Sequence, residues 1–352
     1  VNIMTLRSSP IAIDASPAAW MDYFESQGWS DGLPVIPPTA DLVEAMIAGS
    51  GLPGDAEVAI MAPSGVKASV EKVAINAVMA GCRPSFMPVI IAALRAMAEP
   101  KFNMAGIQAT THPVAPLVFV NGPIRSAIGI NCGTNVFGQG FRANATIGRA
   151  IRLVMINIGQ GIPGRTDMAT MGSPCKFSYV AGENEEVSPW EPFHVERGLH
   201  REQSAVLVHA GEAPHNMQDH ASVDPGELLI TIASTIATLG NNNVGMCGEI
   251  MLVLGPEHAR ILARSGMSKD DVRFELHRRM RLRFDAMGTT LRNWYRNRRP
   301  AINCGPEVAE IPYLDDPAQI LILVAGGPGL HSMVIPSFGG MSQYSFRAID
   351  AE

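Results

Sequence analysis

Residues 251–265 read MLVLGPEHARILARS. Four apolar residues run into Gly255-Pro256, and a helical pattern then follows from Glu257 to Ser265. A short apolar run closed by a glycine-proline turn reads as a buried strand. The same order recurs at 58–61 before Ala62-Pro63, at 117–120 before Asn121-Gly122-Pro123, and at 320–324 before Ala325-Gly326-Gly327-Pro328. Helical patterns follow at 67–79 and, less regularly, after Pro123. Strand, tight turn and helix in repetition give the expected fold class, α/β, with a largely parallel or mixed sheet and packed helices. The recurrence points to duplicated strand-turn-helix units. In open parallel sheets ligands sit at the carboxyl ends of strands, which places these turns around any site.

Outward from this pattern, helices are expected at 18–27, 42–48, 88–98, 143–158, 225–238 and 269–283. Residues 159–223 have no sustained periodicity, the mark of a functional loop region or of short strands. A boundary near Asp224-Pro225 separates an N-terminal α/β part, 1–224, from a C-terminal α/β part, 225–352. The long functional loop region is 132–223, and the two parts are also compatible with one intimately packed domain.

Of the 352 residues, 47% are hydrophobic and only 17% charged, which describes a core-rich globule and confines disorder to the ends. A net charge of -6 offers no general attraction to nucleic acid or anionic membranes, so neither is an expected partner. The basic run from His277 through Arg299, with Trp294 and Tyr295, reads as a solvated helix face or a subunit contact. The longest apolar run, 228–239, is too short to span a bilayer. The start of the chain lacks the pattern of a signal peptide, which makes the cytoplasm the expected location. Five cysteines with no C-x-x-C pair read as reduced thiols, with Cys82 structural and Cys175 the more reactive. The methionines are scattered, as expected of core packing.

The densest chemistry lies between Cys132 and Arg197. Gly138-Gln-Gly140-Phe-Arg142-Ala143 leads into a helix without the acidic partner of a dinucleotide fingerprint, so Arg142, Asn144 and Thr146 read as a grip for a substrate carboxylate or phosphate. Glu183-Asn184-Glu185-Glu186 and His194 gather carboxylates near an imidazole, which suits acid-base work near neutral pH. The rival use is metal binding, to which His200, His209, His215 and His220 could contribute although their spacings match no standard helical pair. No other cofactor is expected. Lys72, four residues before Asn76 on an apolar helix, is aimed inward as a candidate base. Ser64 and Lys67 have S-x-x-K spacing, and Ser64 equally fits a helix N-cap. Asn121, His112 and His331 lie beside candidate strand ends.

The stretch 29–39, WSDGLPVIPPT, resembles the signature of a little-characterised bacterial family associated with a U-G-S-C selenocysteine motif. The segments VEKVAINAVMAGCRP, QATTHPVAPLVFVNGP, RANATIGRAIRL, ENEEVSPWEPFHVERG and VAGGPGLHS are similar to that family as well. The chain has no Cys-Gly-Ser-Cys equivalent, the nearest stretch being Met171-Gly-Ser-Pro-Cys175. The resemblance implies no reaction or catalytic residue.

From the residues themselves, the expected function is an enzyme acting on a small polar or anionic organic molecule by acid-base chemistry of lyase or hydrolase type. Arg142 and Asn144 would hold the anion, Lys72 or His194 would move a proton, and Glu185 or Glu186 would orient it. The alternatives are a metal-dependent enzyme of the same substrate class and a noncatalytic subunit completing a partner's active site. A homo-oligomer is the expected assembly.

Overall fold

The computed structural model describes residues 6–14, 16–298 and 308–349. Two four-stranded sheets form its centre. Twelve strands occur among the described residues: β1 (Glu57–Met61), β2 (Val66–Ser69), β3 (Ala115–Asn121), β4 (Val180–Gly182), β5 (Ala205–Gly211), β6 (His215–Gln218), β7 (Ile250–Leu254), β8 (Arg281–Arg283), β9 (Glu310–Pro312), β10 (Ile320–Val324), β11 (His331–Ile335) and β12 (Ser345–Ala348). One sheet has the order β12-β5-β3-β4 and the other β10-β7-β11-β6, while β1-β2 and β8-β9 are small antiparallel pairs.

Alternation along the strands builds four layers. Successive side chains of a strand point to opposite faces. Leu117 and Phe119 of β3 pack with Met251 and Val253 of β7 and Leu321 and Leu323 of β10, so the two sheets lie face to face. Val118 and Val120 instead meet a first helix layer made by Val70–Ala80, Met87–Met97 and Arg142–Asn157. Leu252 and Leu254 meet a second, made by Pro225–Ile236, Pro256–Ala263 and Lys269–Arg279. The unbroken apolar runs of β7 and β10 are thus explained by burial on both faces, and the fold is α/β with mixed sheets.

The two sheets share one plan. β4 runs parallel to β3, and β5 runs antiparallel to it with β12 outside. Likewise β10 runs parallel to β7, and β11 runs antiparallel to it with β6 outside. The outer strands are exchanged: β6 follows β5 in the chain yet joins β11, and β12 follows β11 yet joins β5. Each part on either side of residue 224 therefore supplies an edge strand to the other's sheet.

The glycines of the turns after β3 and β7 serve the same steric purpose. A Cβ on Gly122, whose φ is 81°, would strike the backbone at Gln203 just before β5. One on Gly255 would strike the carbonyl of His331 at the start of β11. Only glycine lets the returning strand pass this close.

Several local expectations shift. Residues 67–69 belong to β2, and the helix expected from Lys67 begins at Val70, where the Ser69 hydroxyl accepts from Lys72 N. Ser64 sits in the β1–β2 turn, its hydroxyl donating to the carbonyls of Met61 and Ile158, while Lys67 pairs with Glu57; the S-x-x-K reading and the N-cap reading both fall. The 269–283 helix ends at Arg279, and its last three residues form β8. The unpatterned 159–223 region contains β4, β5 and β6. No single helix among the described residues is long and apolar enough to cross a membrane. Of the basic run, Arg299 lies outside the described residues.

Candidate active site

The carboxyl ends of β3, β4 and β10 meet at one end of the paired sheets. Asn184 N donates to Val324 O at 2.7 Å, tying the loop after β4 to the end of β10, and Gly326 N donates to Cys132 O at 2.8 Å, tying the loop after β10 to the one that precedes the helix Arg142–Asn157. Alternation turns Asn121 and Glu183, the residues ending β3 and following β4, toward the space between the sheets. Both are fully buried.

Around them the structure assembles a polar cluster. Asn121 Nδ2 donates to Glu183 Oε2 at 2.5 Å and reaches Glu185 Oε1 at 3.4 Å, bridging the two carboxyl groups. Phe193 N donates to the same Glu183 oxygen at 2.7 Å. Glu185 Oε1 accepts from Gly122 N at 2.7 Å and lies 3.0 Å from Arg125 Nε. His194, on the short helix Phe193–Glu196, is fully buried with Nδ1 3.8 Å from Glu185 Oε1. From the second helix layer, Lys269 Nζ approaches Glu183 Oε1 at 3.7 Å and Glu196 Oε2 at 3.2 Å.

Arg125 connects this interior to the surface. Its Nη1 donates to Glu183 O at 2.7 Å, and the guanidinium grips Glu186 at 2.9 and 3.2 Å. The Glu186 side chain is 62% exposed, whereas that of Arg125 is 4% exposed. Burial pulls the Arg125 pKa down, but its hydrogen bonds with Glu186 and the charges of Glu185 and Glu186 more than offset this, so the guanidinium stays charged. Burial raises the Glu183 pKa, against the opposing pull of Lys269 and its hydrogen bonds. Glu186 is held below the usual range by its hydrogen bonding to Arg125. Burial also raises the Cys132 thiol, whose Sγ accepts from Arg125 Nη1 at 3.6 Å, so this thiol stays protonated near neutral pH.

Three buried polar atoms here have no hydrogen-bond partner: Glu183 Oε1, Asn121 Oδ1 and His194 Nδ1. Such atoms are rare in folded proteins, and convergence of several marks a place where a proton, water or ligand belongs. Burial shifts Glu183 toward its protonated form, beside a second carboxyl group that receives a backbone amide and a guanidinium. Two such groups in unlike environments can divide proton donation and acceptance between them.

The other residues singled out from sequence lie elsewhere. Asn144 is buried, but its amide accepts from Asn131 N at 2.8 Å and donates to Asn131 O and Val180 O, so it braces a loop rather than gripping an anion. Arg142 Nε caps the helix Val70–Ala80 through Gly81 O at 2.9 Å, and Thr146 Oγ1 donates to Arg142 O within its own helix. Lys72 is exposed, its Nζ 3.4 Å from Lys67 O; the buried charge on that helix is Glu71, which accepts from Arg7 N and Ser8 N. His112 pairs with Glu212 at 2.8 Å at the opposite end of β3 from Asn121. His331 lies on the second sheet.

Of the histidines considered for metal, His200, His215 and His220 are exposed, and His209 is buried between the sheets, where desolvation takes its pKa down to about 4. Among the described residues no group of three or more His, Cys, Asp or Glu side chains could hold a metal ion. Sequence reading missed Arg125 and Lys269. The glycine-proline turn three residues before Arg125 was the available signal, while nothing local marks Lys269.

No protein-family model and no curated protein matches the chain.

Proposed function

We propose that the protein is an enzyme of lyase or hydrolase type that moves a proton on a small anionic organic molecule at the Glu183–Glu185 pair. The observation that carries this reading is the gathering at the strand ends of Glu183 Oε1, Asn121 Oδ1 and His194 Nδ1, buried atoms that no hydrogen bond satisfies. Protonated Glu183 would act as general acid and Glu185 as the accepting carboxylate, with the Asn121 amide fixing their separation. Arg125 supports an anionic substrate. Its outer nitrogens hold Glu186, an exposed carboxylate that a substrate carboxylate would replace in the same bidentate geometry. An anion held there lies one guanidinium width from Glu185, within reach of proton transfer.

The test is depletion of a mixture of small carboxylic acids by the purified chain. Glu183→Gln, which keeps shape and hydrogen bonding but cannot release a proton, should lower kcat by about 10²–10⁴-fold. Full turnover in folded Glu183→Gln overturns the assignment. Glu186→Gln should lower KM for the anion by about three- to tenfold, since the competing charge is removed; a raised KM would mean that Glu186 itself binds substrate.

A further inference from the structure

His220, in the loop after β6, and His331, opening β11, meet through the fold alone. Both are exposed, with their Nε2 atoms 3.4 Å apart and ring centroids 5.2 Å apart. Two imidazole nitrogens bound about 2.0–2.1 Å from one tetrahedral ion lie about 3.3–3.4 Å apart, with ring centres about 5.2 Å apart. A straight N–H···N hydrogen bond with the same nitrogen separation holds the ring centres about 5.7 Å apart. The observed separations suit both a bent hydrogen bond from one Nε2–H to the other Nε2 and two nitrogens converging on one ion, and an ion between the rings would take the place of that proton.

The rest of the His331 ring is arranged to suit. Its Nδ1 lies 3.1 Å from Asn216 Oδ1. An amide oxygen only accepts, so Nδ1 carries the proton and Nε2 keeps its lone pair, the arrangement a metal ligand needs. Neighbouring groups are otherwise engaged. His258 uses Nδ1 on Ser332 Oγ at 2.8 Å and Nε2 on Asp219 O at 3.1 Å. The Asp219 carboxylate accepts from Ala221 N, Ser222 N, Ser222 Oγ and Thr231 Oγ1, and that of Glu257 from Gly329 N.

We propose that His220 and His331 form an open binding site for a borderline divalent transition-metal ion such as Zn²⁺, with the remaining positions left to water or an added ligand. Neutral imidazoles favour zinc, copper, nickel and cobalt over the hard ions calcium and magnesium. The site would sit where β7 ends and β11 begins, on the second sheet, separate from the carboxylate cluster of the first.

The experiment is a Co²⁺ titration of the full chain after chelator treatment, followed by its visible absorption. One equivalent should bind, Zn²⁺ should displace it and Mg²⁺ should not. His220→Ala and His331→Ala should each weaken binding by at least tenfold, and Asn216→Ala by about tenfold. His215→Ala, on the opposite face of β6 from Asn216, should leave it unchanged. All four side chains are exposed, so the variants should keep the native circular dichroism. Absence of Co²⁺ uptake by the unmodified chain at millimolar concentration, or equal uptake by His220→Ala/His331→Ala, overturns the proposal.

Discussion

Glu249 illustrates how a single side chain can couple the fold to pH. Burial pushes its carboxyl up to about 7, although Tyr344 N donates to it at 2.6 Å and Lys101 and Arg197 pull it down. The folded state then holds a proton that the unfolded chain releases near the ordinary carboxyl value. Stability from this group is present at low pH and is lost as pH rises from the unfolded value through about 7. Urea midpoints should therefore fall between pH 5 and pH 7.5 by less in Glu249→Gln than in the unmodified chain; equal slopes would show that Glu249 does not titrate in this window. Asn144 makes a second residue-scale case. Removing its three bonds to backbone in Asn144→Ala should cost about 2–3 kcal/mol in chemical unfolding, while leaving any anion affinity at Arg125 largely intact. From sequence, Asn144 was an anion ligand, because the residue type is right for either task. What distinguishes them is whether its amide is already engaged, and that depends on where residues 131 and 180 fold.

At the scale of elements, the glycine-proline turns were legible because their cause is local and steric. The β3 and β7 turns each need glycine where a returning strand crosses, so Gly122→Ala and Gly255→Ala should each cost at least about 2 kcal/mol by urea unfolding. Gly288, with open space around it and no left-handed backbone, should accept alanine within about 0.5 kcal/mol. Comparable losses at all three positions would remove the close-approach explanation. Helices were legible for a related reason. Arg142–Asn157 and Pro225–Ile236 carry one apolar stripe and a clear start, and the expected bounds fall within two residues of those observed. Within 159–223, β4 and β6 escaped because they have three and four residues, too few to establish a period, while the seven residues of β5 are buried on both faces and show no alternation.

Across the whole molecule, reciprocal exchange of β6 and β12 makes each part incomplete without the other. Residues 1–224 carry β6 without the sheet it joins, and residues 225–352 carry β12 without β5. Expressed separately, neither should show native near-ultraviolet circular dichroism, and mixing the two should restore it. Cooperative unfolding of either fragment alone would show that the exchanged strands are dispensable. The candidate active site depends on the same association, since Lys269 and Val324 of the second part close the loops that carry Glu183 and Asn184.

The amino-acid order by itself determined the α/β class, most helices and the turn glycines, because periodicity, capping and steric demand act over a few residues. It also placed Glu183–Glu186 and His194 in one acidic stretch. Only the tertiary structure decided that Asn121 and Arg125 join them, that Lys72, Arg142 and Asn144 do not, and that His220 faces His331. Those outcomes depend on which strand ends meet and which polar groups are already hydrogen-bonded, and both are fixed by sheet pairing between residues far apart in the chain.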